Sequence, residues 1–294
     1  MYNEIKYIGY FDITIVENNK GFYDILDSTL KKINFSPYQL LYTKNLNKSK
    51  IIVAKQKEKY GIIDKNNNIV IPLVYDYISG TYDDKLIVQI NNKAKVINLE
   101  NKIILNTNFE SISKPDYNNN HLVKKDFRQG IMNKNGKLLI PVKYKEIRIR
   151  NSLNAYFVYE DKEGLRKVGL YDLDCNLKIP IKYKYLTVVS HKNSENYSST
   201  NRLIAKINGK YGVIDLDDNI VINHKYKSIK VIEQYIKDNI LKNLASETKD
   251  IKKIEFIRDF FKGYVYEIID FEKNTFLMNE KEEIIKTSYN NGYN

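Results

Sequence analysis

The chain has 294 residues, 43% of them apolar, and carries 48 Lys and Arg against 36 Asp and Glu for a formal charge of +12. That apolar fraction is enough for a packed core, and no apolar run reaches the roughly 20 residues needed to cross a bilayer. A single cysteine, Cys175, excludes an internal disulfide and gives no thiolate metal site, and residues 1–9 have neither the basic start nor the apolar core of a signal peptide, so the expected location is the cytoplasm.

In chain order, residues 10–16 alternate in character and read as the strand that leads and caps an array. From Lys20 onward one unit recurs. Its clearest copy is KYGIIDKNNNIVIPLVYDYI from Lys59, matched without gaps by RQGIMNKNGKLLIPVKYKEI from Arg128, KVGLYDLDCNLKIPIKYKYL from Lys167 and KYGVIDLDDNIVINHKYKSI from Lys210. Gly61, Gly130, Gly169 and Gly212 are followed three residues on by Asp64, Asn133, Asp172 and Asp215, and fourteen on by Tyr75, Tyr144, Tyr183 and Tyr226. A worn copy from Lys93 has Lys95 for the glycine, keeps Asn98, and puts Phe109 at the tyrosine. An early copy from Lys20 keeps Gly21 and Asp24 and reaches Tyr38 after three extra residues. The anchors step by 34 to 43 residues, a period that means a solenoid, an array or a propeller.

Each unit reads as parts. A run of β-formers such as Ile51 to Ala54 precedes the anchor, and a second strand starts at the glycine and ends at the Asp or Asn, which can start a turn by bonding the backbone two residues on. Asn- and Gly-rich turns follow, which tolerate positive φ. A third strand is then stopped by Pro72, Pro141 or Pro180, since proline cannot donate to a ladder and must sit at a strand end or an edge. The unit is a three-stranded antiparallel meander, with room for a short fourth strand after the tyrosine. The recurring tyrosines and Phe109 are expected in the core.

These copies resemble the bacterial WG-repeat family, whose units carry a Trp-Gly pair, an Asp, an Ile-Pro pair and a Tyr. The likeness covers about residues 20–229. The chain departs from it in having no tryptophan at all: Tyr60, Gln129, Val168 and Tyr211 hold that position. The resemblance implies β-repeats with an interaction role and carries over no catalytic residue.

Between units, 114–120 and the Ser/Asn-rich stretch 191–201 read as surface loops. After Tyr226 the period becomes helical. Ile232, Tyr235, Ile236, Ile240, Leu241 and Leu244 share one face, and Ile251, Ile254, Ile257, Phe260 and Phe261 another, predicting helices over 231–244 and 248–261. Strands over 264–269 and 275–278 with a turn at 272–274 form a final hairpin, a candidate seventh repeat. The expected fold is therefore mainly β, tandem antiparallel meanders in an open solenoid-like or propeller-like array. Residues 1–229 form the array, and 230–294 the helical pair and hairpin packed as a cap, with a docking groove as the helices' functional alternative.

Catalytic patterns are absent from the sequence. His121, His191 and His224 look like substitutions within a scaffold, and Asp64, Asp172 and Asp215 have a sufficient reason in the turns they start. Cys175 reads as a turn residue. No enzyme, cofactor or metal is expected. Charge is more informative: 101–150 hold eleven basic and four acidic residues, and lysines bracket the recurring tyrosine. Lys143, Lys145, Lys182, Lys184, Lys225 and Lys227, extended by Arg148 and Arg150, are expected to form one basic stripe on one face, alternating with the buried ring along the strand. The competing reading is a solvated face in a Lys-, Asn- and Ile-rich chain.

The expected function is a non-enzymatic bacterial or phage scaffold whose basic face holds an acidic protein or nucleoprotein partner, one variant being an inhibitor that occludes a nucleic-acid-binding enzyme. The alternative is direct nucleic-acid binding. A hydrolase hidden in a propeller-like centre is the third class.

Overall fold

The computed structural model describes residues 2–34, 37–46, 50–162, 164–193 and 196–285. The chain is mainly β and builds seven small antiparallel sheets in chain order, in two compact units, Met1–Tyr144 and Lys145–Asn294.

The first unit holds four sheets. The first is β1 (Tyr2–Ile8), β2 (Ile13–Asn18) and β3 (Tyr23–Leu26), whose outer side is met by single bridges from Lys32 and Tyr38. The second is β4 (Leu40–Asn45), β5 (Lys50–Gln56), β6 (Lys59–Ile63) and β7 (Ile69–Tyr75). The third is β8 (Tyr77–Tyr82), β9 (Lys85–Ile90), β10 (Lys93–Asn98) and β11 (Ile103–Asn106), and the fourth β12 (Ser111–Pro115), β13 (Asn120–Lys125), β14 (Arg128–Asn133) and β15 (Leu138–Tyr144). The second unit holds β16 (Glu146–Arg150), β17 (Ala155–Lys162), β18 (Leu165–Asp172) and β19 (Leu177–Tyr183) in the fifth sheet, and β20 (Tyr185–Asn193), β21 (Asn196–Ile207), β22 (Lys210–Asp215) and β23 (Ile220–Tyr226) in the sixth. The seventh is β24 (Ser228–Val231), β25 (Val265–Ile269), β26 (Thr275–Asn279) and β27 (Ile284–Ile285), with α1 (Gln234–Ser246) and α2 (Ile251–Phe260) inserted between its first two strands.

The sheets are offset by one strand from the sequence repeat. The strand after each tyrosine exists, but it opens the next sheet: β7 ends at Tyr75, and β8 starts two residues on and pairs with β9. Each repeat therefore ties two sheets together covalently. Aliphatic clusters fill the spaces between neighbouring sheets, for example Val53, Ile62 and Ile71 against Ile78, Leu86 and Val88.

The recurring glycine is a strand residue rather than a turn residue, and close approach explains it. A Cβ on Gly61, Gly130, Gly169 or Gly212 would lie 2.5 to 2.6 Å from the carbonyl oxygen of Ile71, Ile140, Ile179 or Ile222 on the third strand. There the ladder jumps: Tyr60 pairs with Tyr75, but Ile62 pairs with Ile71, so the third strand bulges at its proline and presses its backbone onto the glycine. The worn repeat keeps the jump without the glycine or the proline: Ala94 N–H bonds the Phe109 carbonyl at 2.7 Å, while Lys95, at the glycine position, already pairs with Asn106 and Val96 with Leu105. The prolines themselves sit on the outer edge strand of their sheets, where no ladder bond is missed.

One turn closes every second-to-third-strand connection. The Asp64 carboxylate accepts from the N–H groups of Asn66 (2.9 Å) and Asn68 (2.7 Å), while Asn67 sits left-handed at φ 67°. Burial pushes the Asp64 carboxyl up, but the Asn68 amide and the turn N–H groups outweigh it and hold it below its ordinary range. Asn98, Asn133, Asp172, Asp215 and Asn279 repeat the turn, with Asn101, Gly136, Cys175, Asp218 and Glu282 left-handed. Cys175 is thus a turn residue.

Several expectations need correction. Tyr10, Phe11 and Asp12 form the turn between β1 and β2 rather than a leading strand, and the strand before them was not anticipated. The stretch around 191–201 is no loop: its backbone extends the β20–β21 hairpin, with His191 paired to Ser198. The His191 side chain lies outside the described residues. The helices start and end within a few residues of expectation, α2 being capped by Asp250, whose carboxylate accepts from Lys252 N–H at 3.0 Å. Ile240, Ile257, Phe260 and Phe261 bury against Val265 and Leu277 of the seventh sheet, while Tyr235 and Ile251 stay exposed. Lys237 is buried on the inner side of α1, and its Nζ donates to the Gly263 carbonyl at 2.8 Å; burial pushes its pKa down. The expected final hairpin is β25–β26, closed at Asp270, and β27 follows it through a turn at Asn279 of the kind the other repeats have, completing a seventh sheet.

Gly61→Ala should destabilise by about 1–3 kcal/mol through overpacking against backbone, whereas Gly209→Ala, with open space at its Cβ, should suffer only from its positive φ of 79°. Urea denaturation of both variants measures the difference. Equal, small losses would show that the close approach is not what fixes Gly61.

Candidate interaction surface

The recurring tyrosine is where the fold and the lysines meet. Tyr75, Tyr144, Tyr183 and Tyr226 are all buried and Phe109 is partly buried, as the core reading requires. What the sequence did not show is the fate of the hydroxyl. Tyr38 donates to Asn67 Oδ1, Tyr75 to Asn101 Oδ1 and Tyr183 to Asp218 Oδ1, each at 2.6 Å. Each acceptor is the left-handed residue of the turn in the next sheet. In the seventh sheet that residue is Glu282, and Tyr226 instead meets Met278 Sδ at 3.7 Å. Where the ring is Phe109, which has no hydroxyl, the corresponding left-handed residue is Gly136, which has no acceptor. At this position donor and acceptor are both absent.

The lysine before the tyrosine joins this contact. Lys182 Nζ lies 2.5 Å from the second carboxylate oxygen of Asp218 and 5.0 Å from the Tyr183 ring centre. Lys225 Nζ lies 3.5 Å from Glu282 and 5.4 Å from the Tyr226 ring. Lys143, in the first unit, lies 5.2 Å from the Tyr144 ring. All eight residues expected to make the basic stripe are exposed. Within the second unit they fall at two kinds of position. Alternation holds along a single strand, and the chain changes sheet at the tyrosine, so Lys182 ends an outer strand while Lys184 sits at the corner before the next sheet's first strand.

Lys145, Lys184 and Lys227 form their own structural class. The N–H of each donates to the second strand of the sheet it enters, at Tyr159 O, Lys206 O and Ile269 O, 2.8 to 2.9 Å away. Gln39, Asp76 and Glu110 hold the same place in the first unit, donating to Lys55 O, Gln89 O and Lys124 O. Those three side chains accept a hydrogen bond from the nearby hairpin turn, at Glu58 N, Asn91 N and Asp126 N. An ammonium cannot accept. The three lysines therefore give up the turn contact, and among the described residues none of them makes an ion pair. Arg148 differs again: its Nε bonds Glu146 at 2.6 Å, and it shares the Tyr159 ring with Arg166, the two guanidiniums lying 5.0 and 4.3 Å from the ring centre. Arg150 is exposed at the end of β16.

Two histidines have packing environments. His121 is buried and its Nδ1 lies 2.9 Å from the Ser113 carbonyl. His224 stacks on Tyr183, ring centres 5.7 Å apart, and covers Gly212. Its Nε2 is buried without a hydrogen-bond partner. Among the described residues no group of three or more His, Cys, Asp or Glu is arranged for a metal, and no helix is long and apolar enough to cross a membrane.

A family profile described as the WG containing repeat matches residues 60–93, 130–160 and 211–234. These three stretches are similar to WG repeats. Among curated proteins none matches. Similar solved structures include BamB from Moraxella catarrhalis, at 9% identity and TM-score 0.34 over 97% of this chain and 87% of that one. Another is the β-propeller domain of Cps50 (Swd1) from Myceliophteria thermophila, at 9% identity and TM-score 0.30 over 74% and 83%. A third is Hsv2p of Kluyveromyces lactis, at 12% identity and TM-score 0.34 over 72% and 74%.

Burial pushes the His224 pKa down, the Asp218 charge opposing and Lys182 assisting. A histidine depressed in the folded state stabilises above its unfolded value, 6.5, and that contribution is lost as pH falls through the folded value. Melting temperature should therefore drop below about pH 6.5, and His224→Phe should flatten that part of the profile. An unchanged profile in the variant would place the acid sensitivity elsewhere.

Proposed function

We propose that the protein is a non-enzymatic scaffold that holds an acidic protein partner through cationic residues of its second unit. The observation that carries this reading is the contrast at one structural position. Three sheet corners of the first unit have side chains that accept from a turn N–H, and three of the second unit have exposed lysines, which cannot accept and which make no ion pair among the described residues. Lysine offers the fold less there than an acceptor would, so its presence in all three sheets is explained by something outside the fold. Repeated β-sheets with short, fixed connections make a rigid frame on which such charges keep their spacing, and similarity to WG repeats supports an interaction role. The two described histidines are engaged in packing, which leaves no poised base in this reading. A partner that occludes or regulates a nucleic-acid enzyme is one form it takes.

Direct binding of nucleic acid is the second reading, favoured by the formal charge of +12. Lys182, Lys225 and Arg148 weaken it, because their partners Asp218, Glu282 and Glu146 place carboxylates among the cations.

The test replaces Lys145, Lys184 and Lys227 together by Glu and follows retention on immobilised polyglutamate and on single-stranded oligonucleotide as salt rises. The expected result is an unchanged melting temperature with polyglutamate retention lost. Wild-type retention should fall steeply as the Debye length shrinks from about 10 Å at 0.1 M salt. Retention on polyglutamate unaffected by the substitutions would overturn the reading, and loss confined to oligonucleotide would replace it by the second.

A further inference from the structure

Between the first strands of the sixth and seventh sheets the second unit opens a cleft of about 430 Å³. Its floor is aliphatic, from Ile204, Ile229 and Val231, and one wall is aromatic, with Tyr185 and Tyr211 edge to face, ring centres 6.2 Å apart. Tyr185 is 45% exposed, a large ring left half in water at the mouth of an apolar hollow. The polar side-chain groups at the cleft are the hydroxyls of Thr187 and Ser228, the exposed Lys230 and the two phenol hydroxyls of Tyr185 and Tyr211. Lys206 Nζ lies 4.4 Å from the centre of the Tyr211 ring. Tyr185 and Ser228, which line the cleft, each directly follow one of the corner lysines, Lys184 and Lys227. Lys230, which lines the cleft, and Lys206, beside the Tyr211 ring, are the cations placed at it directly.

We infer that this cleft seats one large apolar side chain of an acidic protein segment, while carboxylates on either side of that side chain meet Lys184, Lys227 and Lys230. The inference rests on the reading above and gives it a location and a motif, an aromatic or leucine residue flanked by Asp or Glu. The chemistry selects this occupant. Cations alone would accept any polyanion, but an aliphatic floor gains only when apolar surface leaves water, and phosphate backbones have none to offer. Edge-to-face tyrosines provide a ring with the geometry aromatic pairs prefer. Among the described residues no carboxylate lines the cleft itself, the nearest on the ladder being Glu267, paired across from Lys230.

The experiment uses the full chain and two capped synthetic peptides, one of aspartates around a central phenylalanine and one of aspartates only, at low ionic strength, with binding followed by calorimetry. Burial of one such side chain predicts that the phenylalanine peptide binds about tenfold or more tightly than the all-aspartate peptide. Two independent variants, Ser228→Phe, which fills the cleft, and Tyr185→Ala, which removes its wall, should each erase that preference and leave all-aspartate binding as it was. Both are checked for an unchanged melting temperature, and a preference that disappears in either correctly folded variant supports the inference. Equal affinity of the two peptides, or a preference that survives in the folded variants, overturns the cleft while leaving the cationic scaffold standing. If neither peptide binds better than to the Lys145→Glu, Lys184→Glu, Lys227→Glu protein, cleft and scaffold reading fall together. A single-stranded oligonucleotide that outcompetes the phenylalanine peptide, unaffected by Ser228→Phe, overturns the proposed occupant.

Discussion

Within each unit the structure depends on a contact between the end of one sheet and the turn of the next. A tyrosine ring fills the space between neighbouring sheets, and its hydroxyl reaches the left-handed residue of the following Asx turn at 2.6 Å in three cases. A phenolic hydroxyl sent into a core needs a partner, since an unmade hydrogen bond costs more than a made one returns. The chain supplies that partner from a position chosen for backbone reasons, where Asn, Asp and Gly are favoured because they tolerate positive φ. One residue therefore closes a hairpin and receives the neighbouring sheet. At Phe109 and Gly136 both halves of the contact are missing, and at Tyr226 the hydroxyl meets Met278 although the turn residue is Glu282.

This contact also sorts the basic residues. Lys182 and Lys225 sit beside the tyrosine and are drawn to the acid of the same turn, Asp218 or Glu282. They are exposed, yet their charge is partly answered within the fold. The corner lysines, two residues further on, are past the contact and enter a new sheet, where among the described residues their side chains pair with no acid. Net charge by itself could not make this distinction. Surface position relative to the tyrosine does.

Much of the fold was legible in the sequence because the period, the turn residues and the prolines each have one strong physical cause. Gly61 and Tyr75 stood out as fixed offsets, and the tyrosine's burial followed. The glycine's reason did not, because a close backbone approach across a bulge depends on the ladder register, which sequence spacing leaves open. Nor did the sheet boundary: the strand after Tyr75 is visible as Tyr77 to Tyr82, but only pairing shows that it opens the next sheet. That offset puts Lys182 near the end of one sheet and Lys184 at the entrance to the next, where sequence alternation alone suggests a single strand. The stretch 191–201 was misread for a different reason. Its Ser and Asn residues suit a loop, and pairing along the hairpin overrides their weak β preference. The cleft was out of reach altogether, because Tyr185, Tyr211 and Val231 come from three strands of two sheets, and Tyr211 was notable only as standing where WG repeats have tryptophan.

The most direct measurement of the tyrosine-to-turn contact is a double-mutant cycle on Tyr75→Phe and Asn101→Ala, set against the gain from Phe109→Tyr combined with Gly136→Asn, all by urea denaturation. The account predicts that each single loss costs about 1 kcal/mol, that the two together cost little more than either alone, and that the introduced pair is more stable than the sum of its parts. Additive losses at Tyr75 and Asn101, with no coupling between the introduced Tyr and Asn, would contradict it and leave the sheets held by apolar packing alone.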